Sequence, residues 1–432
     1  NSIAANPLWH NVAAGVEDFH PRSSTGRYNP ATASFVQDGA DSATIDSGDP
    51  AEDYSLEPAP NGSQANQGSY GNTAQASQTT ASTLCPVVKN VSQSAGPYTT
   101  IQAAVNAIPN PLTGYSCVVI KDLATYAEQV TIQNFTMNGS SLTIMTDPAL
   151  GSHAAVNPGG QTAAFQIINS SVNILAIDIK PTSAVNYGIQ ASSSYVTISS
   201  VNVDSGGNIN GAGIALADWS ALSYSSVTVS AAQGIALDGS NNTVSYSTAI
   251  ADNAGNFAFV FNLGSSNTLT QSYLSNPSGV AAYLDAGSYN AISYSTMTSN
   301  TASASALNFN AATSNTVTQS FISNPLGYGI FLYASDANTI SFSTVATNAA
   351  DISAVNLTGS SSNTITQSYI YNPASAGILF NGSQNNTISY ATVLSNTPDS
   401  PAINILNAST FNVITHNFVS NPSGDAIALQ SN

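Results

Sequence analysis

One phrase recurs through the second half of the chain. It reads Asn242-Thr243-Val244-Ser245-Tyr246-Ser247, then Asn267-Thr268-Leu269-Thr270-Gln271-Ser272, then Asn290-Ala291-Ile292-Ser293-Tyr294-Ser295, and it returns at Asn315, Asn338, Asn363, Asn386 and Asn412. Its apolar residue falls at Val244, Leu269, Ile292, Val317, Ile340, Ile365, Ile388 and Ile414, in steps of 25, 23, 25, 23, 25, 23 and 26 residues. A fixed period of this kind constrains the fold before any other feature does, because each unit must stack on copies of itself to bury its apolar side. A propeller blade needs about 40 residues or more, and a leucine-rich repeat needs a fixed leucine spacing that is missing. Each unit instead holds three short pieces in which alternate residues are apolar, such as Thr339-Ile340-Ser341, Thr344-Val345-Ala346 and Ser353-Ala354-Val355-Asn356-Leu357. That is the period of a strand with one buried face. Three strands and three bends per unit predict an all-β parallel β-helix of about a dozen coils, a rod roughly 60 Å long at about 4.8 Å per coil. A second asparagine returns at the turn after the middle piece, at 253, 276, 300, 324, 348, 372, 396 and 421. Asparagine tolerates left-handed backbone, so amide-to-amide stacking is expected along that column.

The surface of such a rod would be neutral. Only 6% of residues are charged, and 22 carboxylates stand against five cations, the last of them Lys180. With no Lys or Arg beyond it, the coils cannot neutralise phosphate, which argues against nucleic-acid partners and anionic membranes. No run of about 18 apolar residues is present, so no membrane insertion is expected. The 19 Tyr and 14 Phe argue against disorder. Sparse charge predicts an extracellular or cell-surface location, with the chain read as a mature or excised piece, and little dependence of unfolding on pH between about 5 and 9. Two cysteines, Cys85 and Cys117, either close a disulfide or lie as buried thiols.

Ahead of the coils, Thr99 with Gln102 forms a capping-box pattern, and Ile101, Ala104, Val105 and Ile108 share one helical face. A short helix there would cover the open end of the first coil.

The run Tyr98 to Pro109, with Val118-Val119-Ile120-Lys121 and Thr125 to Ile132, resembles the opening of pectin methylesterases and related right-handed β-helix proteins. The coils resemble the repeats of bacterial surface proteins in the pectate-lyase-like superfamily. Asn6-Pro7-Leu8-Trp9, Asp18-Phe19-His20, Ile45 to Pro50 and Asn66 to Asn72 look like the segment that closes the C-terminal end of such surface helices, although here it stands first. The resemblance implies a right-handed helix and three regions: a junction over 1–78, a linker and cap over 79–126, and the helix over 127–432. It does not carry chemistry. The Gln-Asp-Thr-Leu and Asp-Phe-Ile-Phe-Gly type motifs of the esterases are missing, the coils have no Arg for lyase chemistry, and their acids are scattered.

The remaining candidates are few. Asp238 and Asp285 follow equivalent strand ends two coils apart, about 9 to 10 Å, at the upper edge of the inverting-glycosidase window. His416 shows no partner in the sequence. Asp46, Asp49 and Asp53, with Glu52, are candidates for Ca²⁺ beside the commoner reading of a solvated acidic turn; no other cofactor is expected. Exposed Tyr and Asn rows are a face that can bind glycans. The expectation is therefore a non-enzymatic extracellular filament or adhesive subunit, with a carbohydrate-binding or carbohydrate-active helix as the alternative. Its expected partner is a second copy, head to tail. Asn432 falls in mid-coil after a third strand of Ile427, Ala428 and Leu429, and reading on from Leu429 through Asn432 into Asn1, Ser2 and Ile3 restores the six-residue step seen from Leu216 to Leu222. Asn6-Pro7 then matches Asn421-Pro422. This assigns Asn1, Ser2, Ile3, Asn6, Pro7, Trp9, Ile427, Leu429 and Asn432 to the junction.

Overall fold

The computed structural model describes residues 7–48, 54, 56–58, 61, 65–79, 85–302 and 304–430. Among these residues, three parallel sheets of 14, 13 and 13 strands run the length of a right-handed β-solenoid of about 13 turns. Successive coils pair residue on residue. In the first sheet Val244, Leu269, Ile292, Val317, Ile340, Ile365 and Ile388 stack as one column, each within 1% of full burial. The second sheet carries strands such as Thr344–Thr347 and the third carries strands such as Tyr328–Tyr333. Phe259, Phe261, Phe309 and Phe380 from the third sheet are among the largest fully buried side chains of the core.

Neutral side chains satisfy the backbone at the bends. Each Asn of the repeated phrase from Asn242 to Asn386 is buried, and along this series Oδ1 accepts the backbone N–H of the counterpart one coil earlier, as from Asn290 to Asn315 (2.8 Å) and from Asn315 to Asn338 (2.9 Å). From Asn315 onward the amides also join directly, Nδ2 to Oδ1, through Asn338, Asn363 and Asn386 to Asn412 at 3.0–3.1 Å. The amide stack thus stands at the bend before the first strand and not at the turn expected from the second asparagine series. In that series Asn276, Asn324, Asn372 and Asn421 are buried, and their Nδ2 groups bind backbone carbonyls, whereas Asn300, Asn348 and Asn396 face solvent. The physical reason is spacing: the buried turn amides recur on every second coil, so like amides there are two coils apart.

The first sheet begins at Val87–Val91, which pairs with Ser116–Ile120, and Thr125–Tyr126 starts the second, so the stretch 79–126 already contributes three strands. Cys85 and Cys117 form a disulfide with a Cα–Cα distance of 5.6 Å, tying the chain before the first strand to the second. The helix α1 (Ile101–Asn106) is capped by Thr100 and not by Thr99; the Thr100 hydroxyl accepts from the Ala103 N–H at 3.1 Å. Gln102 does not fold back to a cap. It bridges to the backbone of Thr131, while Glu128 takes the N–H groups of Ile101 (2.7 Å) and Gln102 (2.9 Å).

Residues 7–79 contain two antiparallel pairs, Trp9–Asn11 with Asp18–Pro21 and Arg27–Asn29 with Ser34–Val36. Buried Arg27 binds Asp18 and Asp38, and fully buried His20 stacks on Tyr70 with ring centroids 3.6 Å apart.

Candidate functional site

The bend between the first and second strands of each coil places one residue in the left-handed region, with φ between +48° and +56° from Tyr246 to His416. A ladder of buried serines pins this bend: the N–H of Ser272 donates to Ser295 Oγ at 3.2 Å, and Ser272 Oγ donates to the carbonyl of Thr270 at 2.8 Å. The same pair of bonds repeats at Ser247, Ser295 and Ser320, so the left-handed residue is thrust outward on every coil. Going up the rod these residues alternate Tyr246, Gln271, Tyr294, Gln319, Phe342, Gln367, Tyr390 and His416. The first position of the following strand alternates in the opposite phase: Thr248, Tyr273, Thr296, Phe321, Thr344, Tyr369, Thr392 and Phe418 are successive register partners.

The two columns together form a zigzag with one ring of Tyr or Phe on every coil. The rings of the bend column are 40–63% exposed and those of the strand column 41–64%. Tyr246, Gln271 and Tyr294 with Thr248, Tyr273 and Thr296 enclose a shallow open groove of about 570 Å³. Neither column carries a charged side chain from Tyr246 to Tyr390. Rings on adjacent coils stack at the two ends of the bend column, Tyr224 on Tyr246 (4.9 Å, 1° between planes) and His416 on Tyr390 (5.0 Å, 14°). His416 therefore has partners, Tyr390 and the Thr415 hydroxyl at 2.8 Å. The signal in the sequence was the alternation of 25 and 23 residues, but the opposed phase of the two columns requires knowing that both face outward at one bend.

Followed toward the N-terminus, the strand column passes from Thr248 through Ser226 and Asn202 to Asp178. Asp178 meets His153 Nδ1 (3.0 Å), Asn202 Nδ2 (2.9 Å) and Lys180 Nζ (2.8 Å). Burial pushes its pKa up, but the Lys180 ammonium, the Asn202 amide and the His153 ring outweigh this and hold the carboxyl below the usual range. A histidine, a carboxylate and an ammonium thus meet in line with the strand column, three coils before Thr248. Nothing in the sequence marked them, since His153 and Asp178 are one coil apart and come together only by stacking.

Asp238 and Asp285 occupy a different edge, at the end of the third sheet. Asn262 lies between them in register, so they are two coil steps apart, roughly 9.5 Å. Asn262 donates to Asp238 at 3.1 Å and Asn310 donates to Asp285 at 2.9 Å. Each carboxylate is anchored by the amide of the next coil.

In the N-terminal segment Asp46 is buried, which corrects the reading of it as part of a solvated turn; Asp49, Glu52 and Asp53 lie outside the described residues. Burial, and then repulsion from Glu57, push the Asp46 pKa up to about 8. A carboxyl held this far above its ordinary range is a reason to expect unfolding of this segment to depend on pH. Among the described residues no three His, Cys, Asp or Glu gather as a metal cluster. Of the junction residues, Asn1, Ser2, Ile3, Asn6 and Asn432 lie outside the described residues. Pro7 receives a hydrogen bond from the Ser42 hydroxyl, and Trp9 packs edge-on against Phe19 at 5.3 Å. Ile427 and Leu429 lie on the last coil, exposed by 44% and 78%. Among the described residues no helix is long and apolar enough to cross a membrane.

The family described as "Right handed beta helix region" matches residues 220–352 and 305–432. No curated protein matches the chain. Among solved structures, the chain is similar to the A-module of mannuronan C-5 epimerase AlgE4 from Azotobacter vinelandii, with 14% identity over 77% of this chain and 94% of that one, at a TM-score of 0.51. It is also similar to tailspike protein 3 of bacteriophage CBA120, with 8% identity over 78% of this chain and 59% of that one, at a TM-score of 0.50. A third, a mutant of the DFA-IIIase of Arthrobacter chlorophenolicus A6, gives 10% identity over 79% of this chain and 98% of that one, at 0.48. At these identities the likeness is one of fold. It nevertheless overturns the expectation of a non-enzymatic chain. That expectation rested on the missing esterase motifs, the lack of Arg for lyase chemistry and the scattered acids, and the same fold serves a carbohydrate-active enzyme outside those classes.

Proposed function

We propose that this β-helix binds an extended, uncharged polysaccharide along the aromatic zigzag, with the glycan chain parallel to the rod. The observation that carries the reading is one exposed ring per coil over eight coils, alternating between two columns, with Gln and Thr filling the intervening positions. Aromatic faces cover the apolar faces of sugars while amides and hydroxyls meet their hydroxyl groups. A chain of net charge −17 with an uncharged groove disfavours a polyanion and leaves neutral glycans as the matching class. Supporting the carbohydrate-active form of this reading, the His153–Asp178–Lys180 cluster lies in register with the track, where a bound chain would reach acid–base groups. A sugar covering about 50 Å² of one ring gains about 1.3 kcal/mol, or close to tenfold in affinity. Calorimetric titration with neutral and uronate oligosaccharides tests this. Binding of neutral chains, weakened about tenfold by Tyr294→Ala and again by Tyr273→Ala, is expected; equal binding by wild type and both variants refutes it.

A second reading, compatible with the first, is head-to-tail assembly at the cell surface, with residues 1–78 of one copy covering the last coil of another. It is supported by the apolar groups that this coil presents, Phe411 at 79% and Leu429 at 78% exposure. Such a heterologous contact does not close and gives a filament. Light scattering of the intact chain and of a chain lacking residues 1–78 decides it: association only of the intact chain is expected, and a stable intact monomer rules it out.

A further inference from the structure

We propose that the N-terminal segment binds one Ca²⁺ ion between the carboxylates of Asp46 and Glu57. Both residues are more than nine-tenths buried, at 8% and 5% exposure, and Asp46 Oδ1 and Oδ2 and Glu57 Oε2 are out of contact with solvent. Glu57 Oε1 accepts the N–H groups of Asn66 (2.7 Å) and Asn72 (2.8 Å), but among the described residues Oε2 has no donor within hydrogen-bond distance, and the one donor beside the Asp46 carboxylate is the Thr79 hydroxyl. With the Thr79 hydroxyl able to serve one of the three remaining oxygens, at least two buried carboxylate oxygens are left without a hydrogen bond among the described residues. Buried carboxylates are ordinarily paired with a cation or bound to a metal. The two arginines of this segment are committed elsewhere: Arg27 binds Asp18 and Asp38, and Arg22 donates to the carbonyl of His10.

The two acids converge through one residue. Asn66 Oδ1 accepts the Asp46 N–H at 2.7 Å, the Asn66 N–H reaches Glu57, and the Asn66 amide nitrogen is fixed on the carbonyl of Ser77 at 2.7 Å. Asp46 is itself held in the left-handed region, φ +50°. The raised pKa of Asp46 agrees with a site that lacks its counter-charge. Two carboxylates match the charge of a divalent ion. An all-oxygen donor set selects Ca²⁺ over metals that prefer nitrogen or sulfur, with neutral oxygens such as the neighbouring Thr79 hydroxyl completing the shell.

The test uses the full chain, stripped with EDTA, dialysed and titrated with CaCl₂ at pH 7.5 by calorimetry, with amide exchange followed at Asp46, Asn66 and Asn72. One site per chain is expected, with exchange at these amides at least tenfold slower at saturating Ca²⁺. Asp46→Asn and Glu57→Gln should each weaken binding at least tenfold. Absence of a site, or wild-type affinity in both variants, overturns the proposal. So does protection of these amides on lowering the pH of the stripped protein from 8 to 6 with no further effect of Ca²⁺, because the pair would then hold a proton. If a variant fails to fold, the wild-type titration decides alone.

Discussion

Replacing Asn338 with alanine removes one rung of the buried amide ladder. Asn338 accepts from the Asn315 N–H (2.9 Å) and Asn315 Nδ2 (3.0 Å), and it donates to the carbonyl of Ala312 (2.9 Å) and to Asn363 Oδ1 (3.1 Å). Two of these partners keep another bond: Asn315 Nδ2 still reaches the Gly287 carbonyl, and Asn363 Oδ1 still accepts the N–H of residue 338. The Asn315 N–H and the Ala312 carbonyl lose theirs inside the rod. At about 1–3 kcal/mol for each buried group left unpaired, the cost is about 4 kcal/mol. Asn338→Asp should cost at least as much, because it keeps the acceptor but turns a second oxygen, charged when ionised, toward the two acceptors. Asn348→Ala, at an exposed turn position of the same coil, should stay within about 0.5 kcal/mol. A solenoid can open coil by coil, so the readout is local. Amide exchange between residues 312 and 342 should show an opening free energy about 4 kcal/mol lower in Asn338→Ala. A loss below about 1 kcal/mol, or an equal loss in Asn348→Ala, would refute the claim that the amide column holds the coils in register.

Three further outcomes are expected. Reduction of the Cys85–Cys117 disulfide, whose cysteines are 32 residues apart, should lower stability at the N-terminal end by about 3–4 kcal/mol, read from melts with and without reductant; unchanged melts contradict it. Glu128→Ala should expose the first amides of α1 and raise exchange at Ile101 and Gln102, while the coils beyond residue 200 keep their protection. In chelated protein the segment 7–79 should lose stability as pH rises from about 4 to about 8 and then level off. Its folded form retains a proton on Asp46, with pKa about 8, that the unfolded carboxyl releases near 3.8. A flat pH profile at constant ionic strength would rule this out.

The coil and its period were legible without coordinates because they are local patterns repeated: alternating apolar residues, bends, and a return every 24 or so positions. The neutral surface was legible for a simpler reason, since composition alone decides how many charges are available. Tertiary structure was needed wherever the meaning of a residue depends on what stacks above it. Asn338 and Asn348 are the same residue type ten positions apart, yet one is a buried rung and the other faces water, because only the first meets a like amide on the adjacent coil. Tyr246 and Tyr273 read as unrelated exposed tyrosines until a left-handed bend and a strand start place them on one face. His153 and Asp178 meet only when one coil lies on the next, and Asp46 and Glu57 only when Asn66 bridges them in a segment with no repeat. Sequence determines periodic backbone pairing because the signal recurs and averages over a dozen coils. A site made of single side chains from different coils has no such redundancy, and only the register of the stack decides which of them meet.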